Sequence, residues 1–221
     1  MDVELLVVED PEAAARAAAR ELAEAAGAGG HVALAGGSTP RRAYQLAAVM
    51  HPDWGGTELW WGDDRCVEPA DSRSNYRLVR ESLLDGLARS PRVVHRVRGE
   101  LECEEAAALY DQELEGVRLG LAFLGLGTDG HTASLFPGDP ALDETERRAV
   151  AVDRPDVRRV TMTLPVLNTA ARVVFLVVGE EKAEAVQRAF VGDPSAEIPS
   201  SLVRGETTVA ILDRAAAAHV R

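Results

Sequence analysis

Four stretches of the chain carry residues whose types and spacing suit chemistry. The first is GLGTDGHTASLFPG, residues 125–138, in which His131 follows Asp129 by two positions. Histidine is the side chain best matched to general-base work at neutral pH, and a carboxylate two residues away can orient it or its substrate. The second is ALAGGSTPRRAYQLAA, residues 33–48. Gly36 and Gly37 let backbone approach a ligand, Ser38 and Thr39 supply hydroxyls, and the free N–H groups of a helix start favour an anion. The same loop without a ligand reads as a strand-to-helix turn with a threonine cap. It lacks the lysine of a P-loop, so it does not imply a nucleoside triphosphate. The third stretch, WWGDDRCVEPADSRSNYRLVRESLL, residues 60–84, places Asp63, Asp64 and Arg65 after a strand; they are a solvated charge run or part of a site. The fourth is a pair of cations, Arg159 and Lys182, each equally consistent with an exposed surface charge. Asp63, Asp64, Asp129 and His131 could hold a metal, although their spacing does not demand one.

Those residues need a scaffold that gathers loop ends, and the pattern of the chain predicts one. Short β-rich runs alternate with longer Ala/Leu/Glu/Arg stretches, which predicts the α/β class: a mostly parallel sheet with helices on both faces, in one domain. Strands are expected at residues 3–8, 31–35, 58–61, 93–97, 149–152, 159–163, 172–178 and 208–212, and helices at 11–27, from 41, from 76 to 84, at 106–114 and at 181–190. Asp10-Pro11 has the form of a capped helix start. The almost wholly apolar run LGLAFLGLG, residues 119–127, predicts a central strand buried on both faces, so Asp129 and His131 should lie at its carboxyl end, where open parallel sheets bind ligands. The segment 125–138 also contains G-x-G-x-x-G at Gly125, Gly127 and Gly130, but Pro137, Gly138 and Pro140 arrive too soon for the long helix of a dinucleotide site.

The chain has 221 residues, about one domain, and 46% hydrophobic residues, enough for a core. Its formal charge of −12 argues against nucleic acid and anionic membranes as partners. Any anionic ligand must be captured locally. Cys66 and Cys103 lie far apart without a CxxC spacing, from which we expect no disulfide and no structural zinc, and hence a reducing, cytoplasmic setting. No signal peptide or membrane span is read from the sequence.

Taken in order, GGSTPRRAY, WWGDDRCVEPADSRSNY, LGLGTDGHTASLFPG and RRVTMTLPVLNTA with GEEKAEAV resemble the 6-phosphogluconolactonase family, over about residues 33–190. The resemblance implies a three-layer Rossmann-like fold shared with glucosamine-6-phosphate deaminases and ribose-5-phosphate isomerases. It implies hydrolysis of 6-phospho-D-glucono-1,5-lactone in the oxidative pentose phosphate pathway, with no metal and no cofactor. By the same resemblance His131 is the general base, Asp129 orients it, and Arg65 binds substrate or the developing oxyanion. Gly36, Gly37, Ser38, Thr39, Asp63, Arg159 and Lys182 bind the substrate, chiefly its phosphate. One departure stands out: the family usually has Asp-Glu-Arg where this chain has Asp63-Asp64-Arg65, which leaves the role of Asp64 open.

Two rivals follow from the same motifs. Deaminases of this fold carry a glutamate before the proline where this chain has Phe136, and an apolar residue cannot shuttle protons. A sugar-phosphate sensor of a transcription regulator would need a DNA-binding module, and no basic recognition helix precedes the first glycine loop. The expectation is an enzyme acting on a phosphosugar lactone as a monomer.

Overall fold

The computed structural model describes residues 3–220. Strand β1 (Glu4–Val8) leads into helix α1 (Pro11–Ala28), where the Asp10 carboxylate accepts a 2.7 Å hydrogen bond from the Ala13 amide. Then come β2 (Gly30–Leu34), α2 (Arg41–Met50), β3 (Thr57–Trp61), β4 (Asp63–Arg65), α3 (Asn75–Ser82), β5 (Val93–Val94) and α4 (Cys103–Glu113). The chain continues through β6 (Leu119–Leu124), β7 (Ala149–Val152), β8 (Arg159–Met162), α5 (Leu164–Leu167), β9 (Arg172–Val177), α6 (Ala183–Phe190) and β10 (Thr207–Asp213). The α/β class is as expected. Only the first two residues of the strand expected at 93–97 pair as strand, against β3 at the sheet edge.

Seven strands form a parallel sheet in the order β1-β10-β9-β6-β2-β3-β5, with β6 at its centre. Alternate residues of the inner strands enter two different cores. Val32, Leu34, Leu121, Phe123, Val174 and Leu176 pack against α1, α2 and α3. Ala33, Ala122, Leu124, Val173, Phe175 and Val177 pack against α4 and α6. This period of two on a strand buried on both faces is why 119–127 reads as a continuous apolar run. Each fully buried Leu or Phe contributes roughly 1.5–3 kcal/mol relative to exposure.

Two buried tyrosines clasp strand ends from opposite layers. The Tyr44 hydroxyl of α2 donates to the Ala35 carbonyl at 2.6 Å, just before Gly36. The Tyr110 hydroxyl of α4 donates to the Trp61 carbonyl at 2.9 Å and accepts from the Trp61 amide at 2.8 Å, two residues before Asp63. Burial holds both phenols far above their usual range, so they remain neutral donors.

The mostly parallel central sheet is as expected, and two other expectations need correction. The polar stretch after β3, expected as a loop, is partly strand: β4 joins β8 and β7 in a separate three-stranded antiparallel sheet. The two cysteines are also paired. Cys66 follows β4 and Cys103 opens α4, and tertiary packing brings their Cα atoms to 5.6 Å as a disulfide. Sequence spacing carries no information about a contact made by the folding of β4 against β8. No described helix is long and apolar enough to cross a membrane.

The bridge spans a sequence separation of 37, for which chain entropy predicts a loss of about 3–4 kcal/mol of unfolding free energy when both cysteines become serine or are reduced. Denaturant melts with and without reductant test this, and an unchanged midpoint in both would show that the bridge does not constrain the unfolded chain.

Candidate active site

The carboxyl ends of β2, β3, β6 and β9 frame a pocket of about 270 Å³, lined by residues 35–40, 62–63, 124–127 and 176–178 together with side chains from beyond them. The chain leaves β2 toward β3 and leaves β6 toward the opposite half of the sheet, and such reversals of direction open a crevice at the strand ends. Gly36, Gly37, Ser38, Thr39, Asp63, Arg65, His131, Arg159 and Lys182 all line it. Asp129 does not line it but contacts His131 from behind.

The His131 turn is built around glycine. Gly127 donates to the His131 carbonyl at 2.8 Å, and Thr132 Oγ1 donates to the Gly125 carbonyl at 2.8 Å. A Cβ on Gly127 would overlap the imidazole and the Asp129 carboxylate. No long helix follows; the segment is a run of turns ending in a one-turn 3-10 segment at Pro140–Asp143, so the G-x-G-x-x-G match is not a dinucleotide site. Asp129 Oδ1 lies 2.5 Å from His131 Nδ1, and the imidazole is 30% exposed. Partial burial pushes the Asp129 carboxyl up, but the hydrogen bond and charge interaction with His131 outweigh it and hold the group below the ordinary carboxylate range. With Nδ1 engaged, Nε2 is the nitrogen left for water or substrate. Phe136 packs on the same imidazole, ring centroids 4.5 Å apart. Ala133 has a left-handed φ of 49°, a conformation costing on the order of 1 kcal/mol. The next residue holds it in place: Ser134 N donates to Thr161 Oγ1 at 3.1 Å.

Opposite this base is a concentration of positive charge. In the β4–β8 ladder Arg65 pairs directly with Arg159, and both reach the pocket. Like charges directly opposite each other destabilise a sheet, so this pairing is favourable only when something anionic lies between them. Arg159 is largely buried, with one Nη bonded to Asp156 at 2.8 Å and its Nε lacking a partner among the described residues. Lys182 is aimed by Gly179, whose φ of 103° suits glycine and whose amide donates to the buried Asp213 carboxylate at 3.1 Å. The start of α2 has no side-chain cap, so Ser38 and Thr39 do not serve the capping role that the ligand-free reading gave them. Among the described residues no group of three or more His, Cys, Asp or Glu is placed to hold a metal ion.

Comparison with known proteins shows the family and the fold. The family described as glucosamine-6-phosphate isomerases/6-phosphogluconolactonase matches residues 9–211. The chain belongs to this family. A 6-phosphogluconolactonase from Treponema pallidum is 38% identical over 181 residues, covering 76% of this chain and 75% of its own length. The solved structure of 6-phosphogluconolactonase from Trypanosoma brucei superposes with a TM-score of 0.87 at 25% identity, over 100% of this chain and 99% of that one. A monomeric glucosamine-6-phosphate deaminase shares the fold with a TM-score of 0.87 at 20% identity, over 98% and 100%.

Asp64, the residue at which the resemblance noted a departure, is held by the start of α3. The carboxylate is 2% exposed and accepts from the amides of Asn75 at 2.7 Å, Arg65 at 2.8 Å and Tyr76 at 2.9 Å, with Ser74 Oγ at 3.4 Å. It ties β4 to the first turn of α3, a position that favours negative charge. Sequence reasoning also missed Asn75 and Ser134, which contact Arg65 and Asp63; the only signal was their place inside the motifs SRSNY and DGHTAS.

Burial raises the Asp64 carboxyl to about 6 against the pull of those amides, with the neighbouring Asp63 adding to the rise. A raised folded-state value contributes stability that is complete below about 3.8 and lost as pH climbs through about 6. An Asp64→Asn variant lacks this dependence. Its unfolding free energy is expected to gain on the wild type by about 2–3 kcal/mol between pH 4 and pH 7. Parallel urea melts across that range would refute the assignment if the difference stayed flat.

Proposed function

We propose that this protein hydrolyses 6-phospho-D-glucono-1,5-lactone to 6-phospho-D-gluconate, the lactone step of the oxidative pentose phosphate pathway, without a metal or cofactor. The observation that carries the reading is one pocket lined by a carboxylate-oriented imidazole and by three cationic side chains, Arg65, Arg159 and Lys182. Its relatives named as 6-phosphogluconolactonases support the choice of substrate. The Cys66–Cys103 bridge removes the cysteine argument for a cytoplasmic setting, so that setting rests on the phosphorylated substrate alone.

In this reading His131 Nε2 takes a proton from water as the oxygen attacks the C1 carbonyl, while Asp129 holds the ring and offsets the imidazolium charge. Arg65 faces the oxyanion of the tetrahedral intermediate. The bond from C1 to the ring oxygen then breaks, and the imidazolium returns its proton to that oxygen as it becomes the 5-hydroxyl. The new carboxylic acid ionises to bulk water. Arg159, Lys182 and the Gly36-Gly37-Ser38-Thr39 loop hold the 6-phosphate, so that remote binding energy positions the carbonyl at the base. Phe136 lies against the imidazole, so the position before Pro137 supplies no acid for the proton transfers of a deaminase.

Lactone loss followed by acid release, corrected for spontaneous hydrolysis, tests the reading. The wild type should exceed the background rate, and His131→Ala should lose about 10²–10⁴-fold in kcat. No wild-type turnover, or an unimpaired His131→Ala variant, would overturn it.

Arg159→Ala should raise KM by at least about tenfold for the phosphorylated lactone. It should change KM little for unphosphorylated gluconolactone. Equal loss on both substrates would remove Arg159 from the phosphate site.

A further inference from the structure

Asn75, at the first turn of α3, is 2% exposed and sits where three loops converge. Its Oδ1 accepts from Arg65 Nη1, and its Nδ2 donates to the Asp63 carbonyl at 2.8 Å and to Asp63 Oδ1 at 3.3 Å. Asp63 Oδ2 in turn accepts from Ser134 Oγ at 2.6 Å, three residues beyond His131. A Cβ on Gly36 would overlap the Asn75 amide, so the first glycine of the GGST loop makes room for this side chain. The result is an unbroken run of hydrogen bonds from the Arg65 guanidinium, through Asn75 and Asp63, to the turn that carries the base.

We propose that Asn75 is a positioning residue for Arg65, and that through Asp63 and Ser134 it fixes the guanidinium relative to the His131 turn. The chemistry of the amide explains its presence. The position must accept a hydrogen bond from a guanidinium on one side and donate to a carboxylate on the other. A carboxylate at 75 would face Asp63 with like charge, and an apolar side chain would leave both neighbours without partners. Arg65 needs holding, because it is a long, rotamer-rich side chain directly opposite Arg159 in the ladder. Apart from Asn75, its side chain is held by the Arg73 carbonyl, which Nη1 meets at 3.0 Å. Asp63 lines the pocket but has both carboxylate oxygens engaged by this relay, so its part is to transmit position from one loop to the other.

The proposal rests on the lactonase reading for its kinetics but not for its geometry, and the test has one arm for each. In the kinetic arm, Asn75→Ala should lower kcat on the phosphorylated lactone by about 10- to 100-fold, as expected for displacement of a transition-state group, while KM shifts less than about threefold. Ser134→Ala should shift kcat in the same direction by less. In a cycle with Arg65→Ala, the double variant should be no slower than Arg65→Ala alone, since Asn75 acts only through that arginine. Asn75→Ser, whose hydroxyl can both accept and donate, should recover part of kcat relative to Asn75→Ala. It also serves as the second variant if Asn75→Ala fails to fold. Multiplicative losses in the cycle, or a change confined to KM, would overturn the proposal. The second arm needs no substrate: the ¹⁵N guanidinium signals of Arg65, assigned by their absence in Arg65→Lys, should be resolved in the wild type and broadened in the Asn75 variants. Unchanged signals would overturn the positioning role whatever the enzyme hydrolyses. Absent wild-type turnover with the expected broadening would instead overturn the lactonase reading and uphold the relay.

Discussion

Burial of the central sheet on both faces is the constraint from which the rest of this structure follows. Leu121 and Phe123 point into one layer while Ala122 and Leu124 point into the other, so β6 has no side on which a polar group can meet water. Polar chemistry is thereby forced to the carboxyl edge, where the strands stop and backbone groups lose their ladder partners. Tyr44 and Tyr110 satisfy part of that loss from opposite layers, with hydroxyls bonded to the last residues before the Gly36 loop and before Asp63. The phenols therefore connect the packing of α2 and α4 to the placement of catalytic loops. A shift of either helix would be felt at the pocket before it was felt in the core.

The small antiparallel sheet has a different part. A parallel strand end presents one loop to a ligand, whereas the pairing of β4 with β8 presents two side chains at a fixed separation. Placing Arg65 and Arg159 in that pair concentrates positive charge on one wall of a protein whose net charge is −12. The unfavourable pairing is tolerated because Asp156, Asn75 and the Arg73 carbonyl each take part of the guanidinium hydrogen bonding, and because a bound anion would take more. The overall charge disfavours large polyanions, while the local arrangement suits a small one.

Much of this was legible in the chain. The alternation of strands and helices, the two-faced strand at 119–127 and the three strand-end motifs are local patterns, and each falls where periodicity and glycine placement put it. The Asp10 cap and Pro11 start are legible for the same reason. What was not legible depends on contacts between segments distant in sequence. β4 is three residues of Asp, Asp and Arg, with no apolar alternation, and it is a strand only because β8 supplies partners nearly a hundred residues later. The Cys66–Cys103 bridge has the same origin, since both cysteines are neighbours only after β4 docks on β8 beside α4. Asn75 looked like one polar residue among many in a loop rich in them.

The glycines show how the two kinds of information meet. Read alone, Gly125, Gly127 and Gly130 suggest a dinucleotide loop, because glycine marks a place where backbone must come close to something. The structure leaves Gly125 in open space but supplies a close neighbour at Gly127, at Gly130 and, in the other loop, at Gly36. At Gly127 it is the His131 imidazole and the Asp129 carboxylate, so the glycine shapes that hydrogen-bonded pair itself. Gly130 adopts a left-handed φ of 86° with its Cα against Ile198, in the segment whose Ser200 amide donates to the Gly130 carbonyl. At Gly36 the close neighbour is the Asn75 amide. A glycine therefore reports a steric demand without naming what makes it. In two of these three cases the demand comes from a polar side chain that orients a pocket residue, which ties the glycine pattern to the chemistry even though its first reading as a cofactor loop does not hold.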